Sequence, residues 1–309
     1  MQAIKLPAYF CKLIIDIQLE KSYNSNVFKK TERGLYMYFT LSDGMKIYYE
    51  DTEIGDEILI MMHGVTSNHL AFEKPVEILR EKFRCITFDQ RGHCNSKGAN
   101  KLPVTMETLA DDLHELIEGL SLKNVNLFGW SMGAGVAMTY VKKYGCENLK
   151  KLILCDMTPR QLNDESWDLG LDRGRYDIKA MKKAEKSSFK KVSRDFMRGV
   201  VPKLRYLPFF MVDKFLMKVL SECDEGVIKS LFDSMKLQDN RDFISKVTVP
   251  LAYVYARPGS LFLPKLAEWY GQQARLAGLR YKAVGIENSS HLLIYEHPEE
   301  FAKVMSELI

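Results

Sequence analysis

An α/β fold with a mostly parallel central sheet and helices on both faces is what this 309-residue sequence predicts, and three observations predict it. From Glu57 onward, segments that are apolar along their whole length alternate with amphipathic helical segments, the pattern of a parallel sheet buried on both faces. One apolar segment runs through Gly129-x-Ser131-x-Gly133 straight into a helix of small and apolar residues. Between Pro159 and Ser245 the strands stop and charged, helical sequence takes over before the alternation resumes.

Taken in order, residues 1–33 form an arm whose polar stretch Lys21-Ser-Tyr-Asn-Ser-Asn interrupts any helix begun at Leu6. Its role as a cap, a dimer contact or a membrane-surface element stays open. Leu35 to Thr40 and Lys46 to Asp51 alternate β-formers about the turn Ser42-Asp43-Gly44, which reads as an antiparallel hairpin at the sheet edge. Strands follow at Ile58 to Met62, Cys85 to Phe88, Val125 to Phe128, Leu152 to Cys155, Leu251 to Tyr255 and Tyr281 to Ile286. Helices are expected at about Leu70 to Lys82, Met106 to Leu120, Met132 to Lys143, Leu263 to Leu276 and Pro298 to Leu308. This divides the chain into a core of residues 34–159 and 245–309, interrupted by a helical lid at 160–244. The Met and aromatic side chains of Leu204 to Leu216 read as the insertion's own core, with a substrate groove as the alternative.

At 46% hydrophobic and 27% charged, the composition supplies one large core. The six cysteines show no metal-ligand spacing, and two of them, Cys85 and Cys155, lie inside apolar strands. With no run long enough to span a membrane and no signal-peptide cleavage site, the expectation is a reduced, cytoplasmic chain. The lid segment carries 18 Lys/Arg against 14 Asp/Glu and so accounts for the net charge of +4. A solvated helix face explains this surplus; contact with an anionic substrate, or weak contact with a membrane surface through the arm or the basic lid, is the alternative. No feature points to nucleic acid, and oligomeric state is unreadable.

Several separated motifs stand out: His63-Gly64 after a strand, Phe88-Asp-Gln-Arg-Gly-His-Cys-Asn-Ser96 after the next, the Gly129-x-Ser131-x-Gly133 corner, and His291 followed by His297-Pro-Glu-Glu-Phe301. Through them, over roughly Leu35 to the C-terminus, the chain resembles the α/β-hydrolase superfamily, in particular its esterases, perhydrolases and non-haem chloroperoxidases. The corner has the form of a nucleophile elbow, which holds a serine in a strained backbone at a helix N-terminus. Strand and helix cross so closely there that a Cβ at 129 or 133 would collide.

A serine hydroxyl needs a base, and that base needs a carboxylate to fix its tautomer. His291, in a loop after the last strand, is the candidate base; Ser290 stands beside it where relatives usually have glycine. His297 reads as a capping or surface residue. In most relatives the acid lies in a Gly-x-x-Asp turn, but the corresponding turn Ala256-Arg-Pro-Gly-Ser-Leu-Phe-Leu-Pro264 holds no Asp or Glu. The preceding strand ends in Asp156-Met-Thr-Pro159. A subgroup of the superfamily has such a motif together with a serine in the later turn, and the resemblance carries the acid's role to Asp156.

Backbone N–H groups of Val65 and Met132 are the candidate oxyanion donors, and Gly64 and Trp130 are assigned to the substrate pocket, with packing against the lid as the alternative for Trp130. His63 reads as a brace for its loop. Asp89 and Arg91 are expected to form an internal pair, and Cys94 stands where relatives commonly have glycine, a second nucleophile being its alternative reading. The expected activity is hydrolysis of a carboxylic ester, thioester or lactone through Ser131, His291 and Asp156, with a small acyl substrate, no cofactor and no metal. Peroxide in place of water, carbon–carbon hydrolysis, and a non-catalytic ligand receptor are the alternatives.

Overall fold

The apolar segments pair as strands. In chain order they are β1 (Lys29–Thr31), β2 (Gly34–Thr40), β3 (Lys46–Asp51), β4 (Glu57–Met62), β5 (Phe83–Phe88), β6 (Val125–Trp130), β7 (Leu149–Cys155), β8 (Leu251–Gly259) and β9 (Tyr281–Ser290). They form one nine-stranded sheet among the described residues, in the order β1-β2-β3-β5-β4-β6-β7-β8-β9. The computed structural model describes residues 29–31, 34–99, 103–201, 204 and 206–309. Of the arm at 1–33, only Lys29–Thr31 falls within this range; the rest of that arm lies outside the described residues. Strands β1 to β3 are antiparallel and β3 joins β5 antiparallel, while every pairing from β5 through β9 is parallel.

Alternation within each central strand builds a core on each face. On one face Ile60, Met62, Leu127, Leu152 and Leu154 pack with α2 (Met106–Gly119), α3 (Met132–Tyr144) and α8 (Lys265–Leu276). On the other, Leu59, Met61, Phe128, Ile153 and Cys155 pack with α1 (Glu73–Leu79) and α9 (Pro298–Leu308). Burying one such side chain is worth about 1.5–3 kcal/mol, so both faces drive the parallel arrangement. Helix α2 begins in a capping box in which Thr105 accepts from the Thr108 N–H and the Thr108 side chain accepts from the Thr105 N–H.

Between β7 and β8 the chain forms α4 (Ile178–Glu185), α5 (Phe189–Val200), α6 (Phe209–Ser221) and α7 (Glu225–Leu237). Helix α7 contributes Val227, Leu231 and Met235 to the main core. Helices α5 and α6 build a separate small core of Val200, Val201, Leu204 and Val212, packed against Leu261 and Leu292. The apolar run around α6 therefore splits. Leu204, Val212 and Leu216 are buried, whereas Tyr206, Phe209, Phe210 and Met211 are exposed. Among the described residues no helix is long and apolar enough to cross a membrane.

The loop after β5 corrects one expectation. Asp89 and Arg91 do not pair with each other. Asp89 accepts from the backbone and ring N–H groups of His69 (2.8 and 2.7 Å) and from Asn95 N (3.1 Å). Arg91 turns the other way, donating to both oxygens of Asp112 (2.9 and 2.7 Å) and to Asp43 (2.7 Å). Residues two apart in this turning loop face different elements, the 3₁₀ turn His69–Phe72 on one side and α2 on the other, so each finds its own partner.

Arg91 and Asp112 are both buried. Removing the guanidinium would leave a buried carboxylate without its cation, a loss of about 3–5 kcal/mol. Arg91→Ala is therefore expected to lower the urea midpoint by that equivalent, and an unchanged midpoint would mean the pair contributes nothing to folding.

Candidate active site

Ser131 occupies the corner between β6 and α3 with φ 54° and ψ −121°. Such a backbone costs of order 1–3 kcal/mol and persists only where packing over-determines it. Here it does. A Cβ on Gly129 would lie 2.3 Å from the Gly133 carbonyl oxygen, and one on Gly133 would lie 2.5 Å from that of Met62. Helix α3 is thus drawn against β4 and β6, and the Ser131 N–H is tied to the Cys155 carbonyl (2.9 Å).

From the strained serine a line of hydrogen bonds runs across the C-terminal edge of the sheet. Ser131 Oγ lies 2.9 Å from His291 Nε2, and His291 Nδ1 lies 2.7 Å from Asp156 Oδ2. With the carboxylate accepting from Nδ1–H, Nε2 is left to accept the serine proton. Asp156 is fully buried, while Ser131 is 8% exposed.

Asp156 sits just past β7 with φ 44°, its N–H donating to Val254 O (2.8 Å). Its second oxygen, Oδ1, accepts from Ser260 Oγ (2.7 Å) and from Ala256 N (3.3 Å). The turn after β8, which has no acid, supplies a hydroxyl and an amide to hold the acid that stands on the neighbouring strand. The resemblance includes a serine in this turn, which is Ser260, but gives it no role of its own.

The loop bearing His291 is braced from three sides. Trp130 Nε1 donates to the His291 carbonyl (2.9 Å), so this buried indole fixes the loop from beneath. Ser290 N and Oγ donate to Glu296 (2.6 and 2.9 Å), and Ser290 Oγ accepts from Leu292 N (3.2 Å). The serine thereby supplies to the turn what a glycine could not, a side chain that ties its two ends together. His297 caps nothing with its ring, which lies 3.2 Å from the Asn288 carbonyl.

Gly64 passes directly over Ser131, since a Cβ there would come 3.1 Å from Ser131 Cβ and 3.4 Å from the Trp130 ring. The next amides of that loop have separate duties: Thr66 N donates to His93 Nε2 (3.2 Å) and Ser67 N to Gly64 O (3.2 Å). Val65 N–H follows Gly64, and Met132 N–H opens α3, where the helix dipole favours an anion. His63 is buried beneath the loop, its Nδ1–H donating to Gly64 O (2.8 Å) and its Nε2 accepting from Gln90 N (3.0 Å). Burial, aided by the neighbouring His93, pushes its pKa down to about 3. Burial lowers His93 as well. Both rings are neutral braces.

Cys94 has φ 42°, which explains why glycine suits the position. Burial, with Asp89 and Glu222 nearby, pushes its thiol up to about 12, so at neutral pH it carries no thiolate to act as a nucleophile. Among the described residues no group of three or more His, Cys, Asp or Glu could hold a metal ion.

Comparison with known proteins agrees with the fold. Residues 57–191 match the family model of the alpha/beta hydrolase fold. A Synechocystis protein named "Putative non-heme chloroperoxidase" is 37% identical over 136 residues, 42% of this chain and 48% of that protein, so the alignment spans about half of that relative. The AB hydrolase superfamily protein YisY of Bacillus subtilis is 26% identical over 281 residues, 87% of this chain and 97% of that protein. Among solved structures, an esterase from Exiguobacterium antarcticum superposes with a TM-score of 0.70 at 24% identity, covering 88% of this chain and 98% of that one.

The neutral histidine beneath the loop carries a pH consequence. His63 has a folded pKa below its unfolded value of 6.5. The unfolded chain therefore binds more protons between those values, and stability falls as pH drops below 6.5. Acidification from about pH 7 to about pH 5 is expected to cost roughly 2 kcal/mol through this residue alone. Urea midpoints at the two pH values, for wild type and His63→Gln, check this; an equal acid loss in both proteins would rule His63 out as the cause.

Proposed function

The chain belongs to the α/β-hydrolase superfamily, and from that premise we propose that it is a serine hydrolase of carboxylic esters, thioesters or lactones. The observation that supports this is the hydrogen-bonded line from Ser131 Oγ through His291 to Asp156, with steps of 2.9 and 2.7 Å.

In this reading Ser131 Oγ attacks the substrate carbonyl carbon while its proton passes to His291 Nε2. Asp156 keeps Nδ1–H in place and offsets the charge of the imidazolium. The carbonyl oxygen gains negative charge and is received by the Val65 and Met132 N–H groups, the latter at a helix N-terminus. Collapse of the tetrahedral intermediate expels the alcohol or thiol, which takes the proton from Nε2. Water then gives a proton to Nε2 and attacks the acyl-enzyme, and the acid departs as the proton returns to Ser131. Ser260 and Ala256 act one step removed, holding Asp156 Oδ1 so that Oδ2 faces the ring.

Substrate choice falls to the helical segment between β7 and β8. Its α5–α6 core packs on Leu292, next to His291, and on Leu261, next to Ser260. A relative named as a chloroperoxidase supports a second reading in which hydrogen peroxide replaces water at the acyl-enzyme and a peracid leaves.

A short p-nitrophenyl ester tests the assignment. Ser131→Ala is expected to remove both burst and turnover, and Asp156→Asn to lower kcat by roughly 10³–10⁴-fold. Ser260→Ala, which loses one hydrogen bond to a charged group, should lower kcat by about 10–100-fold with KM little changed. Full activity in Asp156→Asn would remove Asp156 from the mechanism. If wild type neither turns over the ester nor reacts with a fluorophosphonate probe, the protein is a non-catalytic receptor on a hydrolase fold.

A further inference from the structure

Helix α6 has two faces of opposite character. Val212 and Leu216 point inward and are buried, and Phe215 packs against the small core that holds Val212. On the other face, Phe209, Phe210, Met211 and Met217 stand in solvent, joined by Tyr206 from the preceding turn, all between 40% and 79% exposed. At 100° per residue, Lys214 falls on that outward face between Phe210 and Met217. The charge around this surface is one-sided. Among the described residues of 189–221, six lysines and arginines stand against two aspartates, and both aspartates are engaged, Asp195 with Lys191 and Asp213 with Lys190 and Arg194.

Basic and aromatic groups also meet within this surface. The Arg194 and Arg198 guanidinium groups lie 5.0 and 4.7 Å from the centre of the exposed Phe209 ring. A protein partner of ordinary surface would meet an excess of cations here. An interface that accepts exposed aromatic and Met side chains while presenting a sheet of negative charge is an anionic lipid surface.

We propose that the outward face of α5 and α6 docks on anionic lipid, with Phe209, Phe210 and Met217 entering the headgroup–acyl boundary and Lys214 and Arg198 meeting phosphate and carboxylate headgroups. The inner face of the same pair packs on Leu261 and Leu292. Docking therefore sets the lipid surface beside the segments that carry Ser260 and His291. The proposal does not depend on the hydrolytic reading.

The test is co-sedimentation of the full chain with vesicles of phosphatidylcholine alone and with vesicles carrying about 30% phosphatidylserine. Wild type should pellet with the anionic vesicles and not with the neutral ones, and raising salt from about 0.1 M to about 0.5 M should weaken the binding. Phe209→Ser with Phe210→Ser should lower the partition coefficient roughly tenfold or more. Lys214→Glu, which leaves the apolar side chains in place, should lower it less. Thermal midpoints near wild type for both variants would show that the fold is retained. Equal pelleting with both vesicle types, or binding that survives the double substitution, overturns the proposal. So does a dimer in size-exclusion chromatography that the double substitution abolishes, because a second copy of the chain would then cover this face.

Discussion

The close crossing of α3 over β4 and β6 is the constraint on which the site depends. It requires glycine at 129 and 133, because the facing carbonyls leave no room for a Cβ. Once the helix is that near, the chain can turn from strand to helix only through a left-handed residue, and Ser131 is that residue. The strain is offset by the packing of ten buried residues of α3, Met132 through Val141, between the sheet and α2. A hydroxyl held at the end of a rigid strand, beneath a helix N-terminus, is the outcome of a packing problem solved elsewhere.

Around that corner the polar groups are satisfied in layers. Asp156 is held by His291, Ser260 and Ala256; His291 is held by Asp156, Ser131 and, through its carbonyl, Trp130. A buried carboxylate with each oxygen occupied by donors keeps one orientation, and the ring it faces is oriented with it. Beneath the opposite loop, neutral His63 and His93 play the same part for the Gly64 segment, each donating to one carbonyl and accepting one amide. Neutrality follows from burial, and it is what allows each ring to be donor and acceptor at once.

The helical segment between β7 and β8 serves two packing purposes. Helix α7 is a core helix in all but sequence position, with Val227 filling the space over Gly92. Helices α5 and α6 instead close on themselves and on two leucines beside the site. Their remaining apolar surface faces outward among cations, so a part of the chain that packs beside Ser260 and His291 is also open to an external surface.

The sheet, its helices and the serine corner were legible in the sequence because they rest on local patterns. Apolar runs, helical periodicity and Gly-x-Ser-x-Gly need no knowledge of distant residues. His291 and Asp156 could be nominated because each closes a strand at the same sheet edge. What the sequence left open was set by contacts far apart along the chain. Arg91 chose Asp112 over Asp89, two residues away, because α2 packs against that side of the loop. Ser260 reached Asp156 across 104 positions because β7 and β8 are parallel neighbours in register. Both faces of α6 carry apolar side chains, and only the tertiary structure decided which would be covered, since periodicity places residues on a face and packing alone determines what that face meets.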